Sequence, residues 1–142
     1  MINECRFCDI IKGETQSYIV FEDAISMAFL DIRPLFPGHI LLIPRIHYET
    51  LLDLPVNLIE PLFGNAKFLS NIIEKALNAQ GSLILINNKV SQSIPHLHIH
   101  IIPRNKGDGL KGFFWPRIPY KDVDSIREMQ RKITEFVLKY KE

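Results

Sequence analysis

The 142-residue chain predicts an α+β domain with an antiparallel sheet. Three observations carry this. Short apolar runs separated by turn residues come in sequence before the middle of the chain. A long segment of helical periodicity occupies the centre. Further short apolar runs follow it, and the chain closes on a second amphipathic segment.

The elements follow in order. Tyr18 to Glu22 and Ser26 to Leu30 read as strands, with the polar pair Glu22-Asp23 starting a hairpin turn. Pro34, Pro37 and Gly38 mark a loop, after which His39 to Ile43 reads as a buried strand stopped by Pro44. From Val56 to Ala79 the residues Ile59, Leu62, Phe63, Ala66, Leu69, Ile73, Ala76 and Leu77 recur at helical spacing. Gly81 ends that stretch, Leu83 to Ile86 reads as a strand, and a loop runs through Ser93 into a histidine-bearing strand ending at Ile102. Lys106 to Gly112 is a glycine-rich turn region. Asp122 to Tyr140 reads as a second helix, with Val123, Ile126, Met129, Ile133, Phe136 and Val137 on its apolar side.

Composition narrows the possible functions. With 46% hydrophobic and 23% charged residues, residues 1–142 fit one globular domain with a sizeable core. A net charge of +1 gives no strongly basic footprint for nucleic acid or an anionic membrane. No run of about 18 apolar residues appears, so no membrane span is expected. The start Met1-Ile-Asn-Glu-Cys-Arg lacks the features of a secretory signal, so the expected location is cytoplasmic.

The run Pro95-His-Leu-His-Ile-His-Ile-Ile-Pro103 holds the most chemical information. On a strand, His96, His98 and His100 share one face and Leu97, Ile99 and Ile101 the other. Residues four apart on a strand lie roughly 13 Å apart, so His96 and His100 are too distant to share one ion at about 2 Å. Divided roles follow. A neutral imidazole is a good nucleophile for phosphoryl groups, and a partner on its second nitrogen fixes its tautomer.

The pair Cys5-Arg-Phe-Cys8 reads as half of a zinc site, a redox dithiol or coincidence; with only two cysteines, a disulfide scaffold is not expected. A zinc site needs two more ligands, and the chain offers His47 and His96.

Two longer stretches, Asp31-Ile-Arg-Pro-Leu-Phe-Pro-Gly-His-Ile-Leu-Leu-Ile-Pro-Arg-Ile-His47 and Gln92-Ser-Ile-Pro-His-Leu-His-Ile-His-Ile-Ile-Pro-Arg104, resemble the histidine triad family of nucleotide hydrolases and transferases. The similarity runs from Cys5 to Arg104, leaving 105–142 as a variable segment. The resemblance implies a sheet of about five strands with a long central helix and a C-terminal helix, the sheet continuing into a second copy to make a homodimer. It implies attack by His98 on the α-phosphorus of a purine nucleotide, with His100 and His39 holding the ring and donating to phosphate oxygens and Ser93 assisting the leaving group. The reaction it implies releases a nucleoside monophosphate from a dinucleoside polyphosphate or a phosphoramidate.

It further implies that Asp31 binds the ribose hydroxyls, that Phe7, Ile10, Phe29 and Ile32 enclose the base, and that Asn87 and Gln92 contact ribose or phosphate. Structural zinc held by Cys5, Cys8, His47 and His96 belongs to the same pattern. Read without the resemblance, Asp31 suits an Asx turn before Pro34, the four apolar residues suit a plain core, His39 suits a solvent-facing strand end, and Asn87, Gln92 and Ser93 suit a polar loop. Two features depart from the family pattern. The stretch Asn88-Lys-Val-Ser91 is shorter than in relatives and has no glycine; its Lys89 offers a charge to a polyphosphate or to solvent. Phe113, Phe114 and Trp115 suit either a second base or a dimer surface.

Overall fold

Burial on both faces shapes the centre of the sheet, where Ser26–Leu30 is buried at four of its five residues and Ile40–Pro44 at all five. In the computed structural model, which describes residues 4–110 and 117–140, strands β1 (Ile19–Glu22), β2 (Ser26–Leu30), β3 (Ile40–Pro44), β4 (Gly81–Leu85) and β5 (Ile99–Arg104) form one antiparallel sheet in the order β1-β2-β3-β5-β4. The α+β expectation holds. Asp23 closes the β1–β2 hairpin by accepting the Ile25 and Ser26 amides on Oδ1 at 2.9 and 2.8 Å, so the turn residue replaces ladder bonds that the bend cannot make.

The two faces of the sheet have separate covers. Helix α2 (Val56–Ala76) lays Leu62, Ala66, Leu69 and Ile73 on Ala28, Ile40, Leu42, Leu97, Ile99 and Ile101. Each large aliphatic side chain buried here stabilises the fold by about 1.5–3 kcal/mol. Ile59 and Phe63, on the flank of the predicted stripe, stay exposed. On the opposite face Met27, Phe29, Leu41 and Ile43 pack against Phe7 and Ile10 of helix α1 (Arg6–Lys12).

Helix α1 is the element that periodicity missed. Seven residues are too few for a confident helical pattern. Its ends were nevertheless legible: Cys5 accepts the Cys8 amide as N-cap, and Gly13 takes the left-handed conformation (φ 79°) after Lys12.

Several boundaries shift for local reasons. Helix α2 ends at Ala76 rather than Ala79 because Asn78 turns left-handed (φ 51°), and Gly81 begins β4 instead of marking the stop. Strand β3 starts at Ile40 and includes Pro44. The largest correction concerns the histidine strand. Ladder pairing begins only at Ile99, so of the three histidines His100 alone lies within β5. The segment before it runs off the end of β3, where Leu97 donates its amide to Tyr48 O at 2.6 Å and the His96 imidazole bonds Pro44 O.

Gly38 sets the entry to β3. Its φ of +97° suits glycine, and a Cβ there would overlap Leu77 Cδ1, so the turn that delivers His39 admits no larger residue without repacking.

Residues from Gly109 onward form a second unit. Its helix α3 (Val123–Tyr140) matches the predicted span, but none of its residues is buried. Phe113, Phe114 and Trp115 lie outside the described residues. Among the described residues no helix is long and apolar enough to cross a membrane.

Candidate functional site

Four side chains of metal-ligating type converge where the start of α1 meets the end of β3. Cys5 and Cys8 come from the start of α1, His47 from the turn after β3, and His96 from the segment before β5. His96 Nδ1 lies 3.4 Å from Cys5 Sγ, 3.6 Å from Cys8 Sγ and 3.2 Å from His47 Nδ1, and Cys8 Sγ lies 3.4 Å from His47 Nδ1. A tetrahedral ion with Zn–S of 2.3 Å and Zn–N of 2.0–2.1 Å has S···N and N···N edges of about 3.3–3.6 Å. Three of the four distances fall in this range, and the fourth, 3.2 Å between the two imidazoles, lies about 0.1 Å below it.

The protonation pattern suits a metal too. His96 Nε2 sits 2.9 Å from Pro44 O; a carbonyl only accepts, so the proton is on Nε2 and Nδ1 offers its lone pair to the cluster. Burial pushes His96 down to about 4, keeping it neutral at pH 7. Burial, and then the neighbouring Cys5 thiol, push the metal-free Cys8 thiol up to about 11, so an incoming cation must displace a proton. This chemistry separates His96 from its two neighbours in sequence.

His98 and His100 instead face a cleft of about 580 Å³, together with Phe7, Ile10, Phe29, Asp31, Ile32 and Ser93. The proton positions can be deduced in sequence. The Leu35 amide donates to His39 Nδ1 at 3.0 Å, which requires a lone pair there and places the His39 proton on Nε2. That proton points to His100 Nδ1 at 2.9 Å, so His100 carries its own proton on Nε2. His98 Nδ1 lies 2.7 Å from His96 O and must donate, leaving Nε2 with a free lone pair. One imidazole in the cleft is thus set as nucleophile and the next as hydrogen-bond donor.

Asp31, His39 and His100 also converge closely enough to suggest a second metal centre. The Leu35 amide argues against it, because it holds the His39 proton on the nitrogen that would have to bind the ion. Asp31 makes the turn that its sequence context allowed. Its Oδ1 accepts the Arg33 amide at 2.9 Å in an Asx turn, while Oδ2 stands 3.7 Å from His39 Nε2, beyond hydrogen-bonding range.

Burial lowers the pKa of His39, His98 and His100, the last to about 4. The sign of the linked stability follows. Unfolded, His100 takes up a proton near its ordinary 6.5, whereas folded it does so only near 4, so its contribution is present above 6.5 and is lost as pH falls through that window. Thermal melts of the wild type and His100→Asn between pH 7 and 4 should show a steeper loss in the wild type; parallel curves would refute this.

The remaining predicted residues divide. Ser93 is exposed on the cleft wall. Gln92 and Asn87 are not among the cleft-lining residues; the Gln92 amide donates to Glu49 O at 2.5 Å and accepts the Lys89 amide at 2.8 Å, which pins the loop. Asn88 Oδ1 ties the same loop to the Leu51 amide at 3.0 Å. Lys89 (φ 72°) and Ser91 (φ 61°) take left-handed conformations there, so the shortened loop makes its turns without glycine. The cleft is also lined by Arg6, Gln16, Ser17 and Arg33, which the sequence reading did not single out.

The comparisons agree with this geometry. The family model described as HIT domain matches residues 12–107. The chain belongs to the histidine triad (HIT) family. An adenylylsulfatase of Arabidopsis thaliana is 40% identical over 76% of the chain, a stretch spanning 56% of that protein's own length. An adenosine 5'-monophosphoramidase of Candida albicans is 32% identical, covering 95% of the chain and 92% of the relative. A Zn-bound histidine triad family protein from Mycobacterium smegmatis superposes with a TM-score of 0.72 at 29% identity, covering 94% of this chain and 95% of that one. Within this HIT chain, the cleft histidines and the thiol–imidazole cluster meet at a single peptide: His96 gives its ring to one and its carbonyl to the other.

Proposed function

We propose that the chain is a nucleotide hydrolase that releases a nucleoside monophosphate, with adenylate as the leading candidate, through a nucleotidyl intermediate on His98 Nε2. The observation that carries this reading is the proton order of the cleft. It leaves His98 Nε2 bare and His100 Nε2–H available as a donor.

A carboxylate nucleophile would be repelled by the anionic α-phosphate, whereas burial keeps His98 uncharged before attack. In the first step the Nε2 lone pair forms the N–P bond as the bond from phosphorus to the leaving group breaks. The Ser93 hydroxyl hydrogen-bonds the departing atom, and the His39–His100 pair supports charge building on the phosphoryl oxygens. Water then attacks the same phosphorus, breaks the N–P bond and frees His98. Asp31 accepts from the ribose, and Phe7, Ile10, Phe29 and Ile32 hold a purine by burial and stacking. Gln92 supports the reading from the loop side by holding the loop in place, while a contact from Asn87 rests on the family resemblance alone.

Zinc in the Cys5, Cys8, His47 and His96 cluster ties the N-terminus to the sheet as a closed structural centre. A second copy fits the β4 edge. β1, at the other edge, is interrupted between Ile19 and Phe21, whereas β4 pairs in regular register on one side only and exposes Ile84, so a homodimer would extend the sheet there. The reading places the protein in the cytoplasm.

The named relatives act on adenylate joined to different leaving groups, sulfate in one case and an amine in the other. The decisive assay follows AMP release from adenylylsulfate, adenosine 5'-phosphoramidate and diadenosine tetraphosphate by the zinc-loaded protein. Turnover of at least one is expected. Tight AMP binding with no turnover of any would make the chain a nucleotide-binding protein instead.

A further inference from the structure

Among the described residues, one buried side-chain polar atom has no hydrogen-bond partner: Ser17 Oγ. Buried hydroxyls are normally paired, and this one belongs to a residue on the cleft wall. The strand register says what it stands beside. Ile19 pairs with Phe29, and Tyr18 O accepts the Leu30 amide at 3.0 Å. Ser17 and Asp31 lie just outside the paired strands; extrapolated two residues beyond Ile19 and Phe29, the antiparallel register brings Ser17 across from Asp31, and both line the cleft.

The two side chains are complementary in what they lack. Asp31 Oδ1 is occupied by the Arg33 amide, while Oδ2 has no donor in bonding range among the described residues, since His39 directs its proton to His100. A carboxylate can only accept, and Ser17 has a hydroxyl proton to give. A ligand hydroxyl can donate to one and accept from the other through a single oxygen.

We propose that Ser17 and Asp31 together read the sugar of the nucleotide: one ribose hydroxyl donates to Asp31 Oδ2 and accepts from Ser17 Oγ–H. A rotation of χ1 between staggered wells turns the serine from its covered position toward the sugar. This rests on the nucleotide reading above and adds a residue that discriminates ribonucleotides from deoxyribonucleotides.

The test is calorimetric titration of the full-length, zinc-loaded protein and its Ser17→Ala variant with AMP, 2'-deoxy-AMP and 3'-deoxy-AMP, alongside thermal melts. Ser17→Ala should weaken AMP binding about three- to tenfold, the range of one neutral hydrogen bond. It should leave binding within about twofold of wild type for the deoxynucleotide that lacks the shared hydroxyl, with no loss of Tm. An equal effect on all three ligands, or none on any, overturns the assignment while leaving the nucleotide reading intact. Failure of the wild type to bind all three overturns both.

Discussion

His98→Ala is expected to lower AMP release by at least about 10⁴-fold while changing AMP affinity by less than about threefold. In the proposed mechanism the side chain contributes the bond-forming atom, so its loss removes the covalent route. Phe7, Phe29 and Asp31, the cleft residues proposed to hold base and ribose, are untouched by the substitution. Quenched wild-type reactions should carry one adenylyl group on His98 by mass spectrometry, and the variant none. Activity in His98→Ala within 100-fold of wild type would sink the nucleophile assignment. His100→Asn should fall less steeply, because it removes a donor and leaves the nucleophile with its His96 carbonyl partner.

The second large effect concerns the metal cluster. Stripping zinc, or replacing Cys8 by Ser, should cost about 4 kcal/mol or more of stability. That corresponds to a fall in Tm of roughly 10–20 °C for a domain of this size. Without the ion, α1 is held mainly by Phe7 and Ile10 against the sheet. With the Cys8 thiol pushed up to about 11, binding must release protons, so the chelator concentration needed to strip the metal should rise between pH 6 and pH 8. Protein purified without zinc and melting within 2 °C of a zinc-reconstituted sample would refute this.

How much of this was legible in the sequence depends on the kind of signal. Strand β2 was read to the residue because the apolar run Met27 to Leu30, buried as far as Phe29, follows turn chemistry at Asp23. The grouping of Cys5, Cys8, His47 and His96 came from a family pattern, and the structure brings their ligand atoms together. Helix α1 escaped because only Phe7, Ile10 and Ile11 mark its apolar side, too little for a period to show. The extent of the histidine strand was misjudged because side-chain alternation says nothing about where a neighbouring strand stops supplying ladder partners. Beyond Pro44, an imidazole takes over the bond that a peptide would have made. Ser17 was invisible because its meaning depends on the residue across the sheet.

The Leu35 amide was the least legible of all, since every residue but proline has one. It nevertheless determines which nitrogen of His39, and through it of His100, bears hydrogen. An orienting carboxylate could be titrated by acid or deleted by a single codon change; a main-chain N–H is neither ionised near neutrality nor removed by altering the side chain attached to it. The polarity of the cleft is therefore inherited from the path of the chain through Pro34 to Gly38. Position 35 can drift freely in side chain, with proline the one genetically encoded residue that would erase the instruction.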